Sequence, residues 1–368
     1  MKRILVYGMT DNPGGIETYL INTMKQFKNE KIIFDFLCDF PDIAYKEEIK
    51  SNGSKIFFIC AKGKKLLKHW IQIAKILKAY PEYETIYFNI LDAGAAFTML
   101  IPWIMGRRIV THSHNGETDK KILHKVCRPF LLLMSNYYLS CSNVAGDFMY
   151  GTKSKGRKQC ILIPNAIDIE KFKFNENIRR KKREELDISE EITVICHVGR
   201  LSLQKNPFGM LNIFQSLLKE RPESMLISIG TGELESEVKD YAEKIQISNN
   251  IRFLGKRNDV AELMQAADVF FLPSFYEGLP IVAIEAQASG LQCILSDAIT
   301  KEINITGNVH FVGLEDSNEK WVGELLQCSD MGRTNVEDCI KQSEFNINNF
   351  ENTIRKLKNV LTGGIINE

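Results

Sequence analysis

The chain has 368 residues, 44% hydrophobic and 25% charged, the balance of an ordinary soluble globular protein and long enough for two domains with sizeable cores. Its net charge of +1 hides a division: residues 1–165 carry 24 Lys and Arg against 14 Asp and Glu (+10), leaving 23 against 32 (−9) for the remainder, so the first half is expected to face an anionic partner. Nine scattered cysteines, an odd count with no C-x-x-C spacing, argue for reduced thiols in a cytoplasm over a disulfide framework or a zinc site, and no run approaches the ~20 apolar residues of a spanning helix.

The opening MKRILVYGMTD has only a short apolar run before Gly8 and Asp11, so it predicts a first strand, Ile4 to Tyr7, rather than a signal peptide. A loop with Gly8, Gly14 and Gly15 follows, then a helix from about Ile16, a Rossmann-like order without the G-x-G-x-x-G spacing. A glycine pair at a helix start lets backbone N–H groups meet a phosphate, although the residues alone fit a plain turn equally well. Strand patterns recur at Ile32 to Leu37, Ile56 to Ile59, Ile86 to Phe88, Arg108 to His112, Tyr137 to Ser140 and Ile161 to Ile163. Helical patterns fill most of the gaps, which predicts a parallel sheet covered by helices.

Between Glu48 and Glu82 there is no acidic residue, whereas Lys62, Lys64, Lys65, Lys68, Lys75 and Lys78 are present. At about 100° per residue, Lys64, Lys68, Lys75 and Lys78 share one helix face, with Leu66, Trp70, Ile73 and Leu77 roughly opposite. This basic amphipathic helix either packs on its own sheet or turns its lysines to an anionic membrane, each worth about 1 kcal/mol near the surface; the two uses employ opposite faces. Arg107, Arg108 and the run from Lys153 to Lys158 extend the patch. Nucleic acid is the weaker competitor, because no reading motif or aromatic stacking array accompanies the charges.

The segment THSHNGETDKK presents His112 and His114, whose spacing on a strand points both rings to one face. Metal binding needs further ligands, and none of the other four histidines forms a matching cluster. Farther on, Arg179 to Arg183 is a run of five basic residues, most simply a solvated helix face. The strand Thr193 to Val198 leads into Gly199-Arg200-Leu201 and Lys205-Asn206-Pro207. Arg200 offers a bidentate fork to phosphate oxygens and Lys205 a compact charge. Two cations on one loop suit a diphosphate leaving group without a metal; standing alone they are also a pair of surface charges. Ile227 to Gly232 (ISIGTG) and Ile251 to Leu254, with the turn Gly255-Lys256-Arg257, are further strands ending in glycine turns, and Gly230 opens the first of these.

The stretch Phe270 to Gly290, FFLPSFYEGLPIVAIEAQASG, predicts a strand, a turn through Gly278-Leu279-Pro280 and a helix opening near Pro280. The helix N-terminus gives an anion or polar ligand a cradle, and Glu277 and Glu285 address different parts of one extended ligand. The plainer reading makes Glu277 a helix cap and Glu285 a solvated helix residue. Their place at a strand-to-helix switch favours the ligand, because open α/β sheets bind ligands there.

This stretch resembles the Glu-x7-Glu signature of family 4 of the retaining glycosyltransferases, which have the GT-B fold: two Rossmann-like, doubly wound α/β domains facing across a cleft. The resemblance spans essentially the whole chain. The Gly14-Gly15 loop, Ser113-His114-Asn115 and Pro164-Asn165-Ala166-Ile167-Asp168 with Phe172 are similar to family segments, Ala166 replacing the usual Gly. Arg200 with Lys205 and Glu277 with Glu285 carry it most specifically. Gln292 stands where many members have Pro, and Ser296-Asp297 is not followed by a glycine pair, which touches donor details rather than fold.

The resemblance implies an acceptor-side domain over residues 1–168, on which a C-terminal crossover helix at about 345–368 packs, and a nucleotide-sugar domain over residues 169–344. It implies transfer, with retention, from a nucleotide diphosphate sugar to a hydroxyl of a lipid-linked or saccharide acceptor in surface polysaccharide biosynthesis, such as capsule or exopolysaccharide. A UDP-sugar is favoured over GDP-mannose. Glu277 lies near the transferred sugar with His114, Glu285 binds the ribose hydroxyls, and Arg200, Lys205, Gly14, Gly15, Gly230, Gly278, Leu279 and Pro280 hold the donor; His112 is structural. No metal or other cofactor is expected, and no D-x-D motif occurs. The expected location is the cytoplasm, peripheral to the inner face of the cell membrane. The alternatives are a non-catalytic GT-B scaffold subunit, or a nucleotide-sugar epimerase or phosphorylase on the same fold.

Overall fold

Short runs of Ile, Val, Leu and Phe, bounded by glycine or polar residues, make strands whose side chains are buried on both faces, the pattern of a parallel sheet covered by helices. The computed structural model of the chain describes residues 2–63, 65–151, 159–343, 345–349 and 351–364; Lys64 and the run from Lys153 to Lys158 lie outside the described residues. The chain divides into two compact units, Met1–Ala166 with Phe350–Glu368, and Ile167–Asn349.

In the first unit strands and helices alternate: β1 (Lys2–Tyr7), α1 (Gly15–Phe27), β2 (Ile32–Cys38), α2 (Lys46–Ser51), β3 (Ile56–Phe58), α3 (Leu66–Ala79), β4 (Thr85–Ile90), α4 (Ala96–Ile104), β5 (Arg108–Ser113), α5 (Lys121–Met134), β6 (Tyr137–Ser140), α6 (Asn143–Tyr150) and β7 (Cys160–Leu162). The sheet is parallel in the order β3-β2-β1-β4-β5-β6-β7, so the order reverses between β1 and β4, where Leu5 pairs with Ile86. One core gathers Ile73 and Leu77 of α3, Met99 of α4 and Leu131 of α5 over Leu5, Ile86, Phe88 and Ile109 of the strands. On α3 the ridge His69, Ile73, Leu77 is buried while Lys68, Lys75 and Lys78 are exposed.

The second unit runs α7 (Glu176–Glu185), β8 (Thr193–Val198), α8 (Pro207–Glu220), β9 (Ser224–Ile229), α9 (Glu235–Lys244), β10 (Ile251–Gly255), α10 (Val260–Ala266), β11 (Val269–Leu272), α11 (Ile281–Ala288), β12 (Gln292–Ser296), β13 (Val309–Val312), α12 (Asn318–Met331) and α13 (Glu337–Gln342). Its parallel sheet has the order β10-β9-β8-β11-β12-β13, reversing between β8 and β11. A last helix, α14 (Glu351–Thr362), belongs to the first unit, where it packs on α1 and β4 and buries Ile354, Leu357, Val360 and Leu361.

The run Arg179–Arg183 departs from the solvated face expected of it. Arg180 and Lys181 are exposed, but Lys182 and Arg183 are buried. Arg183 donates to the carbonyls of Ala266 (3.0 Å), Ser189 (2.9 Å) and Ile192 (3.1 Å) and pairs with Asp268 at 2.7 Å. Arg179 donates to the carbonyl of Ala267 (2.9 Å) and pairs with the other Asp268 oxygen at 2.7 Å. Lys182 lies 2.6 Å from Asp259, 2.9 Å from Glu185 and 3.1 Å from Glu262. The reason is α10: its last carbonyls have no partner within their own helix and carry its negative end, and Arg179 and Arg183 of α7 share them with Arg333, while Asp259 and Glu262 at its start hold Lys182.

Candidate active site

In an open parallel sheet the C-terminal strand ends at a reversal of order leave a crevice where ligands bind. In the second unit the reversal brings together the loops after β8 and β11. The first holds Gly199 and Arg200, then a 3-10 turn, Leu203–Lys205. Asn206 follows in the left-handed region (φ 52°), its side chain accepting from Gly209 N at 3.2 Å to cap α8, with Pro207 at the first helical position. Three bonds stitch this loop to the next: Asn206 Nδ2 to Pro273 O (3.2 Å), Phe275 N to Gln204 O (2.8 Å) and Gln204 Nε2 to Tyr276 O (3.0 Å).

That stitching places Lys205 Nζ 2.5 Å from Glu277 Oε1, with Glu277 8% exposed. Among the described residues the second Glu277 oxygen accepts only a long bond, 3.4 Å, from Gln204 Nε2. Glu277 thus does not cap α11, whose N-cap position is Pro280; Leu279 is buried beside it. Arg200 is exposed, and its guanidinium makes no hydrogen bond or ion pair with a described residue. The site therefore has one cation held by a carboxylate and one uncommitted.

Gly230 closes the loop after β9 over this one. Its φ is +129°, and a Cβ there would lie 2.1 Å from Gly199 O, so only glycine fits. His197, the penultimate residue of β8, is wholly buried beneath Gly199, and its Nε2 has no partner among the described residues. Burial, then the charge of Lys205, pushes its pKa down to about 3, so the ring is neutral. Glu285 sits in the second turn of α11, partly exposed and without a hydrogen bond or ion pair to a described residue. Its low-dielectric surroundings push its carboxyl up to about 7.

The first unit repeats the arrangement at β1 and β4. Gly8 (φ +121°) comes so close to β4 that a Cβ would lie 2.1 Å from Asn89 O. Gly14 is the extended N-cap of α1, and Gly15 begins the helix with open space where a Cβ would stand. Buried Glu17 anchors the loop by accepting from Thr10 N (3.0 Å) and Thr10 Oγ1 (2.9 Å). His114, just past β5, bonds Asn89 Oδ1 through Nε2 at 2.9 Å, and its Nδ1 has no partner among the described residues. His112 Nδ1 lies 2.6 Å from Tyr87 Oη, which lies 2.9 Å from Tyr19 Oη. Burial pushes the His114 pKa down to about 3 and that of His112 well down, so both rings are neutral donors or acceptors rather than cations.

The two rings are 4.0 Å apart, as an H-x-H strand pair requires. Among the described residues the one group of three that could hold a metal ion is elsewhere: His310 of β13 with Glu324 and Cys328 of α12. There His310 Nδ1 lies 3.5 Å from Glu324 Oε2, and burial, with Glu324 adding to it, pushes the Cys328 thiol up to about 12. Sequence reasoning singled out Arg200, Lys205, Glu277 and His114 but missed His197, Gln204, Asn89 and Glu17. Nothing distinguishes a strand histidine or a loop amide until the neighbouring strand end is known.

Two parallel α/β sheets, each reversing once, make this the two-domain GT-B fold. HepE of Anabaena, solved in complex with UDP and glucose, superposes with a TM-score of 0.80 at 19% identity, covering 99% of this chain and 100% of its own. The family described as glycosyl transferases group 1 matches residues 178–330. EpsF of Bacillus subtilis, which bears the name of a glycosyltransferase, is 30% identical over 346 residues, 91% of this chain and 90% of EpsF. The UDP-Gal:alpha-D-GlcNAc-diphosphoundecaprenol alpha-1,3-galactosyltransferase of Escherichia coli is 30% identical over 309 residues, 80% of this chain and 77% of its own. The chain belongs to the group 1 glycosyltransferases.

Proposed function

We propose that this glycosyltransferase retains the anomeric configuration and moves a sugar from a nucleotide diphosphate sugar, UDP-linked in preference to GDP-mannose, to a hydroxyl of a lipid-linked or saccharide acceptor in surface polysaccharide assembly. The observation that carries the proposal is the β8–β11 crevice, where the uncommitted Arg200 shares a loop with Lys205, Lys205 pairs with Glu277 of the facing loop, and Glu285 on α11 has no partner among the described residues. Names of relatives support the donor and acceptor: the Escherichia coli enzyme is named for UDP-Gal and a diphosphoundecaprenol-linked sugar, and HepE was solved with UDP and glucose.

Cleavage of the donor puts negative charge on the departing diphosphate while positive charge grows at the anomeric carbon. Arg200, Lys205 and the N–H groups of Gly278, Leu279 and the start of α11 stabilise the former, with Pro280, which has no N–H, setting the turn. Glu277 fixes the Lys205 ammonium in advance, and its less committed oxygen is the one left for sugar hydroxyls. Glu285 accepts from the ribose diol, and Gly230 shapes the nucleotide loop. His114, Gly14 and Gly15 keep the roles the resemblance implies, and His114 fills its role as a neutral hydrogen-bonding ring. The acceptor proton leaves on a diphosphate oxygen.

No metal takes part in this proposal, so turnover is expected to survive chelation. A lipid-linked acceptor places the enzyme at the cytoplasmic membrane face; among the described residues no helix is long and apolar enough to cross a membrane. The test is thermal stabilisation by UDP-, GDP- and dTDP-sugars, followed by turnover of variants. A ligand at 100 times its dissociation constant adds about 2.7 kcal/mol. Lys205→Ala and Glu277→Gln are each expected to lower kcat by roughly a hundredfold or more. Wild-type turnover in either would remove these residues from the mechanism, and stabilisation by no nucleotide would favour the scaffold alternative.

A further inference from the structure

Three helices, α3, α4 and α5, lie side by side in that order over one face of the first sheet, each feeding the same core. None of the three contains an Asp or a Glu, whereas Lys68, Lys75 and Lys78 of α3 and Lys125 of α5 are exposed and unpaired with any described carboxylate. Lys121 at the start of α5 is paired with Glu117 of the preceding loop at 2.7 Å.

The outer side of α5 is the feature that sequence periodicity did not disclose. Its inner side buries His124, Cys127, Leu131 and Met134, as a core-facing helix should. Its outer side exposes Ile122 (82%), Val126 (61%), Phe130 (59%) and Leu133 (67%), a continuous apolar stripe at helical spacing. The neighbouring helices add Leu67 and Ile71 on α3 and Trp103 and Ile104 on α4, all exposed. Scattered exposed apolar residues need no explanation, but a stripe along one helix, with further large apolar side chains exposed on the two helices beside it, marks a surface that meets something.

We infer that this acid-free layer is a membrane-docking surface, with the α5 stripe entering the acyl boundary of an anionic leaflet and the lysines resting on its headgroups. Charge decides the occupant. A second copy of the chain docked face to face would set three lysine-bearing helices without a carboxylate of their own against their like, whereas an anionic leaflet complements them. An interfacial helix with an apolar stripe and flanking lysines lies in the plane of the bilayer surface, not across it. The inference deepens the reading of a lipid-linked acceptor and rests on it for its purpose: α5 rather than α3 becomes the inserting element, with α3 supplying the charge.

The test uses the purified full chain and vesicles of phosphatidylcholine with or without phosphatidylglycerol, containing no acceptor. Wild type should co-sediment with the anionic vesicles alone. A combined Ile122→Ser, Val126→Ser and Phe130→Ser variant should lose at least about tenfold in vesicle affinity with its thermal midpoint unchanged, because all three side chains are exposed. Lys68→Gln, Lys75→Gln and Lys78→Gln together should weaken binding and flatten its salt dependence. A Phe130→Trp variant should be quenched by brominated lipid. Wild-type vesicle binding by the serine variant, equal binding to both vesicle types, or an unquenched Trp would overturn the inference. A lipid-independent dimer lost in the serine variant would assign the face to a second copy and equally overturn it. Stabilisation by sugar nucleotides and transfer to a water-soluble acceptor should be unchanged in the serine variant. If wild type fails these two while binding vesicles as described, the transferase reading falls and the docking surface stands.

Discussion

Glu285 carries a carboxyl whose folded pKa is about 7, above its ordinary value of 4.5, because burial disfavours the charged form. Between those values the folded chain binds more protons than the unfolded one, so the cost is absent at low pH, grows as pH rises past the ordinary value and is complete above about 7. Glu285→Gln removes the charge and nearly keeps the shape. The variant is expected to be more stable than wild type at about pH 8, by roughly 1–3 kcal/mol, and equal to it near pH 4, as urea unfolding would read. Ligand binding has the opposite sign: if the ribose diol donates to the carboxylate, wild-type affinity for the nucleotide rises with pH through about 7, whereas the Gln variant binds weakly and without that slope. Calorimetric titration at two pH values decides it, and a pH-independent wild type would remove Glu285 from the nucleotide site. The spacing that made Glu277 and Glu285 legible in the sequence says nothing of their partners. That Glu277 grips Lys205 while Glu285 has no such partner depends on the side chains that surround each, which only the folded chain supplies.

Elements were legible where the apolar pattern is local. The runs Ile32 to Leu37 and Tyr137 to Ser140 appear as β2 and β6 within a residue, and the helix expected near Pro280 begins at Ile281. The surroundings of α7 were not legible, because five basic residues in succession look solvated until α10, some 80 residues on, turns its carbonyls towards them. The energetic consequence separates neighbours in one run. Arg183→Met strands the carbonyl of Ile192, leaves that of Ser189 with the Ile192 N–H alone, and removes one of the two guanidinium partners of Asp268, a loss expected to cost about 3–5 kcal/mol. Arg180→Ala, on the exposed side, is expected to stay within about 0.5 kcal/mol of wild type. Chemical denaturation of the pair measures the contrast; equal, small effects would mean that the carbonyls find water instead.

At the scale of the whole molecule the chain leaves its first unit after Ala166 and returns to it only with α14. Composition could not reveal this return, since α14 has an ordinary amphipathic sequence that would suit either unit. Its buried residues Ile354, Leu357, Val360 and Leu361 each contribute roughly 1.5–3 kcal/mol when withdrawn from water, about 6–12 kcal/mol together. That equals the whole stability of a typical domain, about 5–15 kcal/mol, so the first unit should not hold its fold without the helix. A chain ending at Asn349 is therefore expected to exchange the amides of β1 to β7 as an unfolded chain does, while β8 to β13 remain protected. Because Arg200, Lys205, Glu277 and Glu285 all lie in the second unit, the truncated chain should still be stabilised by the donor nucleotide although it transfers no sugar. Hydrogen exchange with and without nucleotide separates the possibilities. Protected β1 to β7 would show that the first sheet keeps its core without α14, and loss of protection in both units would show that the second depends on the first for its own stability.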